Sequence, residues 1–143
     1  MSRKLIAEII GGLFILLFLY TALSKLSEIA LFRLVLRSSP LISDYANLVS
    51  ILLPASEILV SLLLFIPDTR RRGLYAAFLL MLIFTLYLAY MLCFTKQLPC
   101  SCGGVISQLS WKQHLVFNIA FTLLAIAGIR LSRKPRRTSL SLQ

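Results

Sequence analysis

The stretch LVSILLPASEILVSLLLFI (48–66), PDTRRRG (67–73), LYAAFLLMLIFTLYLAYMLCF (74–94) decides the fold. Each of its two apolar runs is long enough to cross a hydrocarbon core of roughly 30 Å as a helix. The connection between them is so short that it returns the second run beside the first, as an antiparallel hairpin. Barrel strands are excluded because the runs are long and uniformly apolar, with no alternation at period two. In lipid a helix also pairs its backbone groups within the segment.

Two more runs of the same kind flank this hairpin, so the spans are 5–23, 48–66, 74–94 and 111–129. Together they predict an all-α membrane protein, a four-transmembrane-helix antiparallel bundle. Composition agrees. With 59% hydrophobic and 14% charged residues, 143 residues leave too little polar surface to cover a water-soluble body. The net charge of +10 would suggest nucleic acid in a soluble protein, but here the charges flank the spans and read as topology, leaving the lipid bilayer as the partner. No glycine-rich phosphate loop, zinc-protease helix or paired-carboxylate motif occurs.

Basic residues set the direction. Arg3 and Lys4, Arg70 to Arg72, and Arg130, Arg133, Lys134, Arg136 and Arg137 outnumber Lys25, Arg33, Arg37, Lys96 and Lys112 in the other two connections. The positive-inside bias therefore puts both termini in the cytoplasm and turns the first and third loops outward. The first span reads as a retained helix, since no small-x-small cleavage site follows it. In the first outer loop EIALFRLVLR (28–37) is too short to span and strongly apolar, which predicts a short interfacial helix. Residues 1–133 form one membrane domain, and 134–143 are expected as a basic, disordered cytoplasmic tail.

The third connection, TKQLPCSCGGVISQLS (95–110), carries the chemistry. Facing outward, Cys100 and Cys102 would lie in an oxidising compartment. A Cys-x-Cys bridge encloses one residue and stabilises a fold little, so exchange suits the pair better than scaffolding. Cys93, at the outer end of the third span, is a third thiol that can relay, or a small apolar filler of its helix. Ser110 and Gln113 have the spacing of a capping box for the fourth helix.

Polar residues within the spans must face inward. His114, Asn118 and Thr122 share one face of the fourth helix, and His114 sits one turn below the cysteine loop, placed to hold a thiolate, move a proton or bind a quinone carbonyl. Glu57 lies mid-span on a face with Ser50 and Ser61 and needs a partner; Lys25 at the outer end of the first helix has the reach, with Thr21 and Ser24 nearby. That pair reads as architecture or as proton handling. Tyr20, Tyr87, Tyr90 and Trp111 are expected as an interfacial aromatic belt, and Glu8 is expected near the inner surface without a chemical role.

Four spans with YTALSKL (20–26), PASE (54–57), an outward CSCGG (100–104) and WKQH (111–114) followed by Asn118 resemble the methylamine utilisation protein MauE family, within the wider DoxX-like group. The likeness runs to about Arg133, and the cysteine loop with the start of helix four is its specific part. It implies a bacterial inner-membrane protein working with a periplasmic thioredoxin-like partner in the maturation of disulfide-rich periplasmic proteins. The bundle also resembles the helical core of vitamin K epoxide reductase and disulfide-forming membrane enzymes, although those carry Cys-x-x-Cys. The leading expectation is thiol–disulfide exchange at Cys100 and Cys102, with Cys93 and His114 assisting, Lys25, Glu57 and Asn118 as intramembrane polar support, and a quinone as a candidate acceptor. Two alternatives stay open: a non-catalytic membrane subunit that recruits a maturation factor, and a Cu(I) site built from the cysteines with His114.

Overall fold

A computed structural model of the chain describes residues 2–94 and 110–133. These form α1 (Arg3–Ser27), α2 (Ile29–Arg37), a 3-10 turn (Ser43–Tyr45), α3 (Ala46–Phe65), α4 (Arg70–Phe94) and α5 (Trp111–Leu131). Four of the helices, all but α2, are long and apolar enough to span a membrane. The expected tail at 134–143 and the cysteine pair Cys100 and Cys102 lie outside the described residues.

The long helices pack in a closed ring, α1 on α3, α3 on α4, α4 on α5 and α5 back on α1, so every neighbour is antiparallel. Only 22–33% of the residues in each span are buried, and large side chains such as Leu16, Phe65, Phe94 and Val116 point outward. That outward apolar surface belongs to lipid. Packing rather than water exclusion then holds the helices together. Ile10, Phe14 and Phe18 of α1 meet Val60 and Leu64 of α3, Leu74, Ala77 and Met81 of α4, and Ala125 and Ile129 of α5. Phe121 packs edge-on against Phe14 at 5.4 Å.

The helices outrun the apolar runs that announce them. Arg70–Gly73 already belong to α4, which shrinks the hairpin connection to residues 66–69. Hydropathy marks where side chains leave lipid, whereas backbone pairing continues until a cap or turn stops it, and arginine is a good helix former. Thr69 closes the turn by donating its hydroxyl to the Leu63 carbonyl at 2.8 Å. At the other boundary Ser110 and Gln113 form the capping box that their spacing predicts, with Gln113 N donating to Ser110 Oγ at 3.3 Å and Ser110 N to Gln113 Oε1 at 3.0 Å.

The α3–α4 hairpin is tight because Gly73 has no side chain. A Cβ there would stand 2.8 Å from the Leu64 backbone nitrogen and 3.0 Å from the Leu63 carbonyl carbon. Gly73→Ala should therefore push the two helices apart and lower stability by about 1–3 kcal/mol. Gly12→Ala, with nothing within 4 Å, should leave it unchanged or slightly raise it. Thermal unfolding of both variants in detergent checks this; equal midpoints would show that the hairpin tolerates the methyl group.

α2 is a short helix within the stretch expected to be one. It breaks from α1 at Glu28, where the backbone leaves helical geometry (φ −118°, ψ 42°), and it folds back onto α3. Phe32 and Leu36 are buried with Ala46 in a second apolar cluster, while Leu31 and Leu34 stay exposed.

Candidate functional site

The polar centre runs from the middle of α3 to the end of α1. Glu57 is the twelfth residue of α3, about 16 Å along the axis from Ala46 at 1.5 Å per residue. Ser50, Pro54, Glu57 and Ser61 all fall on the buried face of that helix. Lys25, near the end of α1, reaches inward, and its Nζ donates to Glu57 Oε1 at 2.8 Å. The side chains are 13% and 1% exposed, so the carboxylate is enclosed and the lysine is nearly so. Thr21, one turn earlier on α1, also interacts with the carboxyl group. Among the described residues, Glu57 Oε2 has no hydrogen-bond partner. The Phe32 ring of α2 sits under the ammonium group, its centroid 6.0 Å from Nζ.

α5 brings His114 to the same region. Its side chain is half-buried and lies within electrostatic range of Lys25. Asn118 is buried one turn deeper and donates its Nδ2 to the His114 carbonyl at 2.9 Å; Thr122 donates to the Asn118 carbonyl at 2.7 Å. The polar stripe of α5 thus satisfies itself largely along its own backbone. Across helices, the Thr122 hydroxyl lies 3.3 Å from that of Thr85 on α4.

Of the three cysteines, Cys93 alone lies among the described residues. Cys93 is free and exposed in the last turn of α4. Cys100 and Cys102 belong to the segment joining the ends of α4 and α5 and fall outside the described residues. Among the described residues no group of three His, Cys, Asp or Glu side chains could hold a metal ion.

Several polar contacts at this end escape a reading of the sequence. Arg33 of α2 donates its Nε to Ser50 Oγ at 3.3 Å, and Arg37 reaches Asn47 at 3.2 Å. The buried Ser39 hydroxyl lies 2.6 Å from the Tyr87 hydroxyl, which ties the segment after α2 to α4. Tyr87 is therefore half-buried and engaged with Ser39, whereas Tyr20 and Tyr90 are exposed. At the opposite end Glu8 accepts from Arg70 Nη1 at 3.3 Å, linking α1 to the start of α4.

Four antiparallel spanning helices around a buried Lys–Glu pair, with a short amphipathic helix folded over one end, define a multi-pass membrane protein with an intramembrane polar centre. The family model of methylamine utilisation protein MauE matches residues 3–131, and the chain belongs to that family. No curated protein and no solved structure matches the chain.

Proposed function

We propose that this protein is an inner-membrane thiol–disulfide exchange protein serving the maturation of periplasmic proteins, of the kind that methylamine utilisation requires. The observation that supports the reading is that His114, in the first turn of α5, lies within electrostatic range of Lys25, the partner of Glu57, and that the sequence just before α5 carries Cys100 and Cys102. Membership of the MauE family supports the same setting.

In this reading both termini face the cytoplasm and the cysteine segment faces the periplasm. A thiolate of a thioredoxin-like partner attacks the Cys100–Cys102 disulfide, forming a mixed disulfide and releasing one cysteine as a thiolate. The partner's second thiol then attacks the mixed bond, so the partner leaves as a disulfide and Cys100 and Cys102 remain as a dithiol. Two electrons and two protons have moved onto this protein. His114 favours the thiolate that departs. A lipid-soluble quinone, when bound, supplies the two-electron acceptor that restores the disulfide. The polar centre suits such a headgroup: Lys25 has donors beyond the one spent on Glu57, and Oε2 of Glu57 is an acceptor not engaged by the described residues.

The experiment is thiol labelling in intact cells after mild reduction. A membrane-impermeant maleimide should modify Cys100 and Cys102, and their oxidised fraction should change when the respiratory chain is blocked. Labelling of both only by a permeant reagent rejects the orientation and the exchange role. A pair locked in one redox state under every condition favours a non-catalytic subunit that recruits a maturation factor.

A further inference from the structure

The carboxylate of Glu57 is only half engaged. Oε1 accepts from Lys25 Nζ at 2.8 Å, whereas Oε2, on a side chain 1% exposed, has no donor among the described residues. The hydroxyls around it are directed elsewhere. Ser50 and Ser61, on the same buried face of α3, donate to the carbonyls of Asn47 at 2.7 Å and of Glu57 itself at 2.9 Å. Thr21, one turn before Lys25 on α1, donates to the Phe18 carbonyl at 3.2 Å. A hydroxyl has one proton, so none of the three has a second to offer Oε2. A buried carboxylate oxygen left without a donor is destabilising, and in a native fold it marks a place where something else supplies one.

The chemistry of the missing group follows from its neighbours. At 2.8 Å the Lys25–Glu57 contact has the length of a charge-assisted N–H···O bond, and an ionised carboxylate only accepts. The group that completes Oε2 must therefore donate. Lys25 has donors beyond the one on Oε1, so the same group can also accept from Nζ. A hydroxyl does both. A quinone carries carbonyl oxygens alone and would set a lone pair against Oε2, whereas its hydroquinone presents O–H there. The centre thus distinguishes two redox states of one molecule. Phe32 supplies a further element: its buried ring is the aromatic group against the Lys25 ammonium, and it belongs to α2, a separate short helix that meets α1 at Glu28, where the backbone leaves helical geometry.

We propose that the Lys25–Glu57 centre is a hydroquinone site, deepening the exchange function proposed above and resting on it. One hydroquinone hydroxyl donates to Glu57 Oε2 and accepts from Lys25 Nζ, and the ring takes the place of Phe32 as α2 moves aside. The reaction it serves is balanced: the Cys100 and Cys102 dithiol gives up two electrons and two protons and becomes a disulfide, while the two carbonyls of the quinone become hydroxyls. A site that holds the reduced form more tightly makes the bound quinone a stronger oxidant, by about 30 mV for each tenfold difference in affinity. Electrons then run from the thiols to the quinone.

The test is calorimetric titration of the full chain in nanodiscs, without oxygen, carrying Cys100→Ser/Cys102→Ser so that no turnover occurs. The probes are a short-chain benzoquinone, its hydroquinone, and the dimethyl ether of that hydroquinone, which lacks the donor. The hydroquinone should bind about tenfold more tightly than the quinone, the scale of one hydrogen bond to a charged group, and the ether no better than the quinone. Glu57→Gln should remove most of the preference, and Lys25→Met/Glu57→Leu, which keeps the bundle free of an unpaired charge, should remove all of it. Phe32→Ala should tighten both forms alike. Equal affinities, tighter binding of the quinone, an ether that matches the hydroquinone, or a preference that persists in the Lys25→Met/Glu57→Leu background overturns the site; unchanged or weaker binding in Phe32→Ala overturns the displacement of its ring. If Glu57→Gln does not fold, the double variant decides. The redox-inactive chain keeps this result apart from the exchange function: failed maleimide labelling removes exchange without touching the preference, and equal affinities remove the preference without touching exchange.

Discussion

Lys25→Met is expected to destabilise the folded bundle by about 3–5 kcal/mol, the range for removing one member of a buried ion pair. The substitution leaves the Glu57 carboxylate, 1% exposed, without its ammonium partner. Lipid outside the ring of helices offers no compensation. Replacing both partners with apolar side chains, Lys25→Met with Glu57→Leu, should restore most of the loss, because the desolvation penalty disappears together with the attraction. Reversible unfolding in mixed micelles measures both variants. A single variant as stable as the parent would show that the pair adds nothing to the bundle. The double variant also separates two roles: if it folds normally and still supports exchange, the pair is architecture, and if it folds and fails, Lys25 and Glu57 handle ligand or protons.

How much of this is legible in the sequence depends on what enforces each contact. A mid-span carboxylate in lipid has few ways to be satisfied, so Glu57 points to a long basic side chain, and Lys25 is the one with the reach. The capping box of Ser110 and Gln113 follows from spacing alone, because both partners sit on one helix turn. The bonds Arg33–Ser50, Ser39–Tyr87 and Glu8–Arg70 join residues 17, 48 and 62 apart and depend on how α2 folds back and how the helices rotate about their axes. Apolar runs carry no information on that rotation, since most of each helix faces lipid whichever way it turns. Tyr87 illustrates the limit. By composition it is one more interfacial aromatic; only packing of the 38–42 segment against α4 makes it a partner of Ser39.

The larger functional effect is expected at the cysteines. Cys100→Ser and Cys102→Ser should each abolish a covalent complex with a periplasmic thioredoxin-like protein that keeps only its attacking cysteine, detected after acid quenching and non-reducing electrophoresis. The reason is stoichiometric: without either sulfur there is no disulfide for the partner's thiolate to cleave. Cys93→Ser should leave the complex in place, because the Cys100–Cys102 disulfide that the partner cleaves keeps both of its sulfurs. His114→Ala should keep the complex competent to form while slowing its appearance by on the order of tenfold, a decade for each 1.36 kcal/mol of lost stabilisation of the departing thiolate. The four variants together discriminate between mechanisms. A complex that survives both Cys100→Ser and Cys102→Ser removes the exchange role altogether. One that is lost only in Cys93→Ser moves the reacting sulfur to the last turn of α4.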